Sequence, residues 1–235
     1  VRAIGLNPLD YRLRKGELRL LTGLRMPRYV GSDFAGTIVE VGRGVKDVSI
    51  GDNVFGMASQ VVNGCSAQFI SISQDQLSLM PTSLNFEMAA AVPLASLTAF
   101  QALNHMTDIQ RGCSVLINGA SGGVGTFATQ FARQKGAVVT GVTSFRNVDM
   151  VSQIGANHVV DYTQRNFVDE DSQYDLIFDC YGNQRFEKVE GVLAPGGRYI
   201  STIPAWSRYT SVFFNPVRSK KSSVVVVRAR GSHLS

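Results

Sequence analysis

The segment at residues 119–125, GASGGVG, has the composition of a phosphate-binding turn. It follows an apolar, β-branched run at residues 113–117 and precedes a segment whose apolar residues recur at helical spacing. A turn this tight needs small side chains or none. The first N–H groups of a helix have no partner within the helix, and together with the helix dipole they bind anions. We therefore expect a phosphate or pyrophosphate to be bound by backbone donors of Ser121, Gly122, Gly123 and Val124.

The spacing of small residues identifies the expected ligand more closely. Ala120, Gly122 and Gly125 match the dinucleotide-binding fingerprint, with Ala in place of its first Gly. Such a turn can also serve only to pack a strand closely on a helix. A second apolar run at residues 137–142 follows the helix, as a βαβ unit requires, and this context favours dinucleotide binding.

The residues after that second run indicate which dinucleotide. An NAD-binding fold usually has an acidic residue here, about 20 residues after the first Gly, to bind the ribose 2′-OH. This chain instead has Ser144, Arg146 and Asn147, and no acid before Asp149. Arginine can donate two hydrogen bonds to a phosphate, whereas a carboxylate would repel it. The pattern favours NADPH over NADH, and the alternative is that Arg146 is only a solvated loop charge.

Two kinds of segment must position these residues. Residues 1–93 contain short strand-like runs at 29–31, 36–41, 52–55 and 67–72, separated by glycines, which is typical of a partly open β-barrel. A helical stretch follows, and Pro93 should split it. From residue 94 onward strands and helices alternate, which predicts an α/β Rossmann fold with a doubly wound parallel sheet. We place the domain boundary between residues 93 and 94.

Composition excludes several classes of protein. The 235 residues are 44% hydrophobic and 17% charged, as in ordinary globular proteins, and no apolar run approaches a membrane span. Three sparse cysteines argue against a disulfide framework and indicate a reducing compartment, such as the cytoplasm. The net charge of +5 is small, and the basic residues between 208 and 230 lack the pattern of a nucleic-acid-binding module, so nucleic acid is not an expected partner.

Several motifs together resemble the medium-chain dehydrogenase/reductase superfamily, in its zinc-free quinone oxidoreductase branch. They extend over nearly the whole chain in the family's order: GLNPLDYRLRKG, YVGSDFAGTIVEVG, GASGGVG, IGANHVVDY and YDLIFDCYGN. The resemblance implies a GroES-like β-barrel domain, covering residues 1–93, beside a Rossmann domain, covering residues 94–235. Compared with the family, the chain is expected to lack segments at both ends.

The resemblance also implies which chemistry is absent. Zinc-dependent relatives have a Cys in the segment matching Asn7 and a His in the segment matching Ser32, and their Glu corresponds to Asp33. Asn and Ser are poor replacements for a thiolate and an imidazole as zinc ligands. We therefore expect no metal. Substrates that accept hydride readily remain, namely quinones and α,β-unsaturated carbonyls, and the negative charge on their oxygen needs only hydrogen-bond donors.

By resemblance, site residues can be assigned roles. Asn7 is expected beside the nicotinamide or substrate. Asp10 is included with it in the catalytic segment, although holding the loop suits it better than acting as an acid. The expected cofactor contacts are those of Thr98 to the nicotinamide phosphate or ribose, and of Tyr162 to the adenosine ribose or phosphate. Tyr11 and Tyr29 are further candidates for a proton donor or a substrate lid, and a structural role is favoured for each.

The sequence supports an NADPH-dependent enzyme acting on a small quinone or enone. A non-catalytic NADPH-binding sensor or interaction protein is the main alternative. The resemblance also suggests a homodimer through the edge of the Rossmann sheet, to which the apolar run at residues 223–227 would contribute.

Overall fold

The computed structural model describes residues 1–17, 30–58, 64–203 and 219–235. Their contacts divide them into two compact units, which are Val1–Leu97 with Val227–Ser235, and Thr98–Val226. The boundary thus falls four residues later than the sequence suggested, and the C-terminal segment belongs to the first unit. The reason is apolar packing, since Val227, Ala229 and Leu234 cover a cluster of Met57, Leu94 and Leu97.

Unit 1 contains a four-stranded antiparallel sheet with the strand order β1-β2-β3-β4. One face buries Phe34 and Val54, and the other packs Ala35 and Phe55 against a short helix. The elements are β1 (Ala3–Gly5), α1 (Pro8–Lys15), β2 (Asp33–Thr37), β3 (Asn53–Met57), β4 (Leu77–Leu79) and α2 (Phe86–Ala90).

The strand expected at residues 67–72 is wrong. This stretch has no strand, and the chain instead forms a 3-10 turn at Gln74–Gln76 followed by β4. Ile70 and Ile72 do pack against the core, while Phe69 is 72% exposed. The apolar residues of this run therefore reflect partial burial of two isoleucines and not backbone pairing. Of the other expected runs, the one at 36–41 ends at Thr37, and the one at 29–31 begins outside the described residues.

Pro93 divides the helical stretch as predicted. Helix α2 ends at Ala90, and α3 (Pro93–His105) begins with the proline itself. Proline is favoured at this position because the first N–H of a helix has no partner within the helix. No helix in the described ranges is both long enough and apolar enough to span a membrane.

Unit 2 is a parallel six-stranded sheet with the order β10-β9-β8-β5-β6-β7 and helices between the strands, which confirms the Rossmann prediction. Buried residues lie on both faces of the sheet. The elements are β5 (Ser114–Asn118), α4 (Gly123–Gln134), β6 (Val138–Thr143), α5 (Val148–Gln153), β7 (His158–Asp161), β8 (Tyr174–Asp179), α6 (Phe186–Val189), β9 (Leu193–Ser201) and β10 (Lys221–Val224).

The strand order reverses at β5, which pairs with β6 on one side and β8 on the other. In open parallel sheets, a crevice forms at the carboxyl ends of the strands where the order reverses. The glycine-rich turn follows β5 directly and therefore lies at this point.

Candidate functional site

The glycine-rich turn is anchored to the neighbouring strand. The N–H groups of Gly119 and Ala120 donate to the carbonyl of Val142, at 3.1 and 3.0 Å. Gly119 has a φ of +80°, a conformation that side chains disfavour, and Ala120 is fully buried beneath the turn. The backbone is thereby held in one geometry where β5 ends.

Close packing of α4 on the turn requires Gly125. A Cβ at this position would overlap the carbonyl oxygen of Gly119 and lie 2.8 Å from the Cα of Ala120. No small movement can relieve contact with two backbone groups. The third glycine of the fingerprint therefore allows the helix to start directly at the turn.

The backbone donors at the start of α4 differ in whether the turn itself uses them. The N–H of Gly122 donates to the carbonyl of Gly119 at 3.0 Å, so it closes the turn and is not directed at a ligand. Helix geometry leaves the N–H groups of Gly123 and Val124 without partners inside the helix. Gly122 and Gly123 are exposed, so a ligand can approach their backbone closely. The turn therefore fits an anionic phosphate group.

The residues expected around the 2′-phosphate follow the adjacent strand, β6. Ser144 precedes a 3-10 turn at Phe145–Asn147, and Asn147 Nδ2 lies 3.4 Å from Ser144 Oγ. Arg146, in the same turn, is exposed. All three residues therefore lie at the carboxyl edge of the sheet.

Two hydrogen bonds join these segments into one site. The hydroxyl of Thr143, the last residue of β6, donates to Ser121 Oγ at 2.7 Å. The N–H of Tyr162, just beyond β7, donates to the carbonyl of Thr143 at 3.0 Å, and the Tyr162 side chain is 64% exposed. Residues after three adjacent strands are thus linked by hydrogen bonds at the carboxyl edge of the sheet.

A buried carboxylate at the end of β8 accepts several hydrogen bonds on the side of β5 opposite to β6. The sequence analysis did not identify it. Asp179 at the end of β8 is fully buried. It accepts hydrogen bonds from Asn118 Nδ2 at 2.8 Å and Tyr199 Oη at 2.9 Å, and from the N–H groups of Gly182 and Gln184 at 2.7 and 3.0 Å. The Asp–Cys–Tyr–Gly sequence after a strand was the available signal, because an acid there can accept hydrogen bonds from a following turn.

In unit 1, Asn7 and Asp10 are joined at the start of α1. The Asn7 N–H donates to Asp10 Oδ2 at 2.7 Å, the bond of a helix N-cap in which a side chain bonds back to the cap. Asp10 is 8% exposed. This geometry gives Asp10 a loop-holding contact.

The side chain of Asn7 has a separate partner. Its Nδ2 donates to Asp33 Oδ2 at 2.9 Å, while Asp33 Oδ1 accepts the N–H of Leu94 at 2.8 Å. Asp33 is the first residue of β2 and is 1% exposed. Asn7 thus has a half-buried amide held by a carboxylate beneath it.

Burial dominates the electrostatics of this cluster. It raises the pKa of Asp33 to about 7, against the lowering effect of the bonds from Asn7 and Leu94. Burial also raises the pKa of Asp10. The pKa of the neighbouring Cys65 thiol rises to about 12 through burial and then through the two carboxylates. Cys65 is therefore a protonated, unreactive thiol at neutral pH.

The remaining expected residues are a threonine of α3 and two tyrosines, one of them in α1. Thr98 is buried in α3, at the first position of unit 2. Tyr11 is 43% exposed on α1, with Lys15 Nζ 5.5 Å from its ring centre, and Tyr29 lies outside the described residues. Within the described part of the chain, no three His, Cys, Asp or Glu side chains are grouped to hold a metal ion.

Comparison with known families covers both units. Residues 1–83 match the alcohol dehydrogenase GroES-like domain, and residues 123–228 match the zinc-binding dehydrogenase domain. The four-stranded sheet of unit 1 lies within the first match, and the glycine-rich helix and most of the parallel sheet lie within the second.

Three known proteins show the extent of the similarity. Human quinone oxidoreductase is 33% identical over 97% of this chain and 69% of its own length. The chloroplastic NADPH-dependent alkenal/one oxidoreductase of Arabidopsis thaliana is 32% identical over 86% of this chain and 53% of its own length. The structure of Coxiella burnetii quinone oxidoreductase superposes with a TM-score of 0.87 at 30% identity, covering 100% of this chain and 74% of the other. The chain spans about half to two thirds of the length of the curated relatives it matches.

Proposed function

Since the chain belongs to the medium-chain dehydrogenase/reductase superfamily, in its quinone oxidoreductase-like branch, we propose that it forms part of an NADPH-dependent reductase of quinones or α,β-unsaturated carbonyls. The observation that carries the proposal is the set of cofactor-binding groups at the carboxyl edge of unit 2. They comprise the donors at the start of α4 and the basic turn after β6.

Each group in this set has a defined task. The N–H groups of Gly123 and Val124 bind the pyrophosphate, and Ser121 is held in place by Thr143. Arg146, with Ser144 and Asn147, pairs with the ribose 2′-phosphate. The name of the Arabidopsis relative, which states NADPH dependence, supports this choice of nucleotide.

The nicotinamide ring, when bound, supplies the hydride, and the chain's residues control the oxygen of the acceptor. That oxygen gains negative charge as the acceptor is reduced. The amide of Asn7 can donate a hydrogen bond to it, because one amide N–H remains after the other bonds Asp33. Asn7 and Ser32 stand where zinc relatives have Cys and His, so we propose that no metal takes part.

The direct test is oxidation of NADPH by the protein that carries this chain, with 1,4-benzoquinone and but-3-en-2-one as acceptors. We expect turnover that a chelator such as EDTA does not change. Substitution Asn7→Ala should lower kcat about 100-fold, the usual effect of removing one such donor, and leave the Kd for NADPH unchanged.

The control is Asn53→Ala, which removes an exposed asparagine of β3 and should leave kcat unchanged. Tight NADPH binding without reduction of either acceptor would contradict the catalytic proposal. Loss of activity with EDTA would contradict the metal-free mechanism.

A further inference from the structure

Asp33 has both carboxylate oxygens committed to protein donors. Oδ1 accepts the backbone N–H of Leu94 at 2.8 Å, and Oδ2 accepts Nδ2 of Asn7 at 2.9 Å. The residue is 1% exposed, and β1 packs against it so tightly that a Cβ on Gly5 would lie 3.0 Å from the Asp33 Cβ. The carboxyl group therefore cannot turn to solvent without moving β1 or β2.

The titratable groups that act on this carboxyl are themselves acids. The carboxylate of Asp10, in α1, repels negative charge on Asp33 and so raises its pKa. Cys65 donates its thiol hydrogen to the backbone carbonyl of Asp33 at 3.1 Å. Neither group can supply positive charge. The charged form of Asp33 is stabilised by the two N–H donors. Binding of a proton would instead remove the charge and with it the cost of burying that charge.

The two protonation states require different partners. An ionised carboxylate only accepts hydrogen bonds, so it holds the NH₂ end of the Asn7 amide. A backbone N–H can only donate, so Leu94 keeps Oδ1 as an acceptor in both states, and a proton must reside on Oδ2. Protonated Oδ2 is a donor, and its matching partner is the carbonyl oxygen of the Asn7 amide. Protonation therefore favours rotation of that amide by half a turn.

We propose that Asp33 is a positioning residue whose protonation determines which end of the Asn7 amide is presented to the substrate. With Asp33 ionised, the amide presents its carbonyl oxygen and one N–H. With Asp33 neutral, it presents both N–H groups.

The effect on rate rests on the proposed function. Reduction places negative charge on the acceptor oxygen, so the state that presents two N–H groups is more active than the state that presents one. Burial raises the pKa of Asp33 to about 7. The neutral fraction then falls about tenfold between pH 6 and pH 8, and kcat should fall with it, by up to the same factor.

The hydrogen-bond exchange itself can be measured without activity. In ¹⁵N-labelled protein, the side-chain NH₂ resonances of Asn7, identified by their absence in Asn7→Ala, should shift with pH with a midpoint near 7. In Asp33→Asn the introduced amide keeps the Leu94 bond through its oxygen and donates to Asn7, so the Asn7 resonances should stay in the low-pH position throughout. Resonances that ignore pH in the unmodified protein, or that still titrate in Asp33→Asn, overturn the proposal.

A second variant guards against failure of Asp33→Asn to fold. Asn7→Ala removes a bond that lowers the Asp33 pKa, so the ¹³C carboxyl resonance of Asp33 should titrate at a higher pH than in the unmodified protein. An unchanged midpoint would show that the two side chains are not coupled. Asp47→Asn, at an exposed carboxyl of the same unit, is the matched control and should change neither titration.

The two proposals fail in different ways. If NADPH oxidation is absent while the Asn7 resonances follow Asp33, the proposed function is wrong and the hydrogen-bond exchange stands. If turnover is present and the Asn7 resonances do not titrate, the exchange is wrong and the reductase assignment stands.

Discussion

The carboxyl group of Asp33 should make the stability of the protein depend on pH. Its pKa is 3.8 as an ordinary aspartate and about 7 in the folded chain, so between pH 4 and pH 7 the folded state binds more protons than the unfolded state. The contribution of Asp33 to stability is therefore greatest at the acidic end and is lost as pH rises to 7, by up to about 4 kcal/mol for a shift of this size. The raised pKa of Asp10 acts in the same direction. Urea unfolding at pH 5 and pH 8 measures the difference.

The same measurement on Asp33→Asn provides the control. The substitution removes the titrating group, so most of the difference between pH 5 and pH 8 should disappear, and the variant should be the more stable protein at pH 8. A wild-type protein that is equally stable at both pH values would show that Asp33 is charged throughout.

Arg146 should decide between the two nicotinamide nucleotides. Its side chain is exposed in the turn after β6, at the same edge as Ser144 and Asn147. Arg146→Asp replaces attraction for a 2′-phosphate by repulsion, so the Kd for NADPH should rise at least about tenfold while that for NADH stays level or falls. Fluorescence titration with both nucleotides provides the measurement.

A control substitution distinguishes the local effect of Arg146 on nucleotide binding from the effect of the protein's net charge. Lys188→Asp makes the same change at an exposed position of α6 and should leave the preference between nucleotides unaltered. Unchanged preference in Arg146→Asp would mean that the 2′-phosphate lies elsewhere or that NADH is the natural cofactor.

For individual residues, sequence motifs could indicate candidate site residues, but residues whose role depends on long-range contacts were missed. Asn7 and Ser144 could be proposed because each lies in a recognisable segment. Asp33 was noticed only as the counterpart of a Glu in zinc relatives, and Asp179 was not noticed at all. The partners of Asp179 include Asn118 and Tyr199, which lie far from it in sequence, so the local Asp–Cys–Tyr–Gly pattern could indicate the turn but not these two bonds.

Among the secondary-structure elements, β5 and α4 meet at a junction that leaves no room for a side chain at Gly125. A methyl group on Gly125 would overlap the backbone of Gly119 and Ala120, so Gly125→Ala should force α4 away from the strand. We expect a loss of stability of several kcal/mol and loss of measurable NADPH binding, because the donors at the start of α4 would move. Thermal unfolding with and without NADPH reports both effects.

Gly191→Ala is the matched control for that substitution. A Cβ at Gly191 meets nothing within 4 Å, and the residue lies in a 3-10 turn of the same unit. It should leave Tm and NADPH binding almost unchanged. Equal behaviour of the two variants would mean that α4 can shift without cost and that the close approach is not required.

The two sheets differ in how well the sequence predicted them. Parallel strands buried on both faces appear as continuous apolar runs, and β5, β6 and β8 were found for this reason. In unit 1 the strands are short, and a half-buried irregular segment at residues 67–72 shows the same alternation as a strand. At the edge of the parallel sheet, β10 begins at Lys221, and pairing of a second copy along it stays a prediction.

On the scale of the whole molecule, the sequence predicted two domains but not the return of the chain to the first. Gly231 shows how closely this return is packed. An added Cβ would overlap the carbonyl oxygen of Leu77 in β4. The C-terminal segment carried no signal of this role, because a few apolar residues among arginines and serines resemble a disordered tail.

Gly231→Ala should therefore destabilise unit 1 selectively. We expect faster hydrogen exchange in β3 and β4 and a lower Tm, with exchange in β5, β6 and β8 unchanged. Gly44→Ala, where a Cβ meets nothing within 4 Å, should behave like the unmodified protein. Uniformly faster exchange in both units would show that they unfold together.

The contribution of Val227–Ser235 to unit 1 has a consequence for synthesis on the ribosome. Residues 1–97 emerge before unit 2, yet their apolar cluster around Met57 and Leu94 lacks the contacts of Val227, Ala229 and Leu234 until the chain has passed residue 226. Unit 2 has all of its strands available by then and can fold earlier. During synthesis, residues 1–97 therefore remain incompletely folded until a segment made more than 100 residues later is available. In this period their apolar surface is accessible to chaperones and to aggregation.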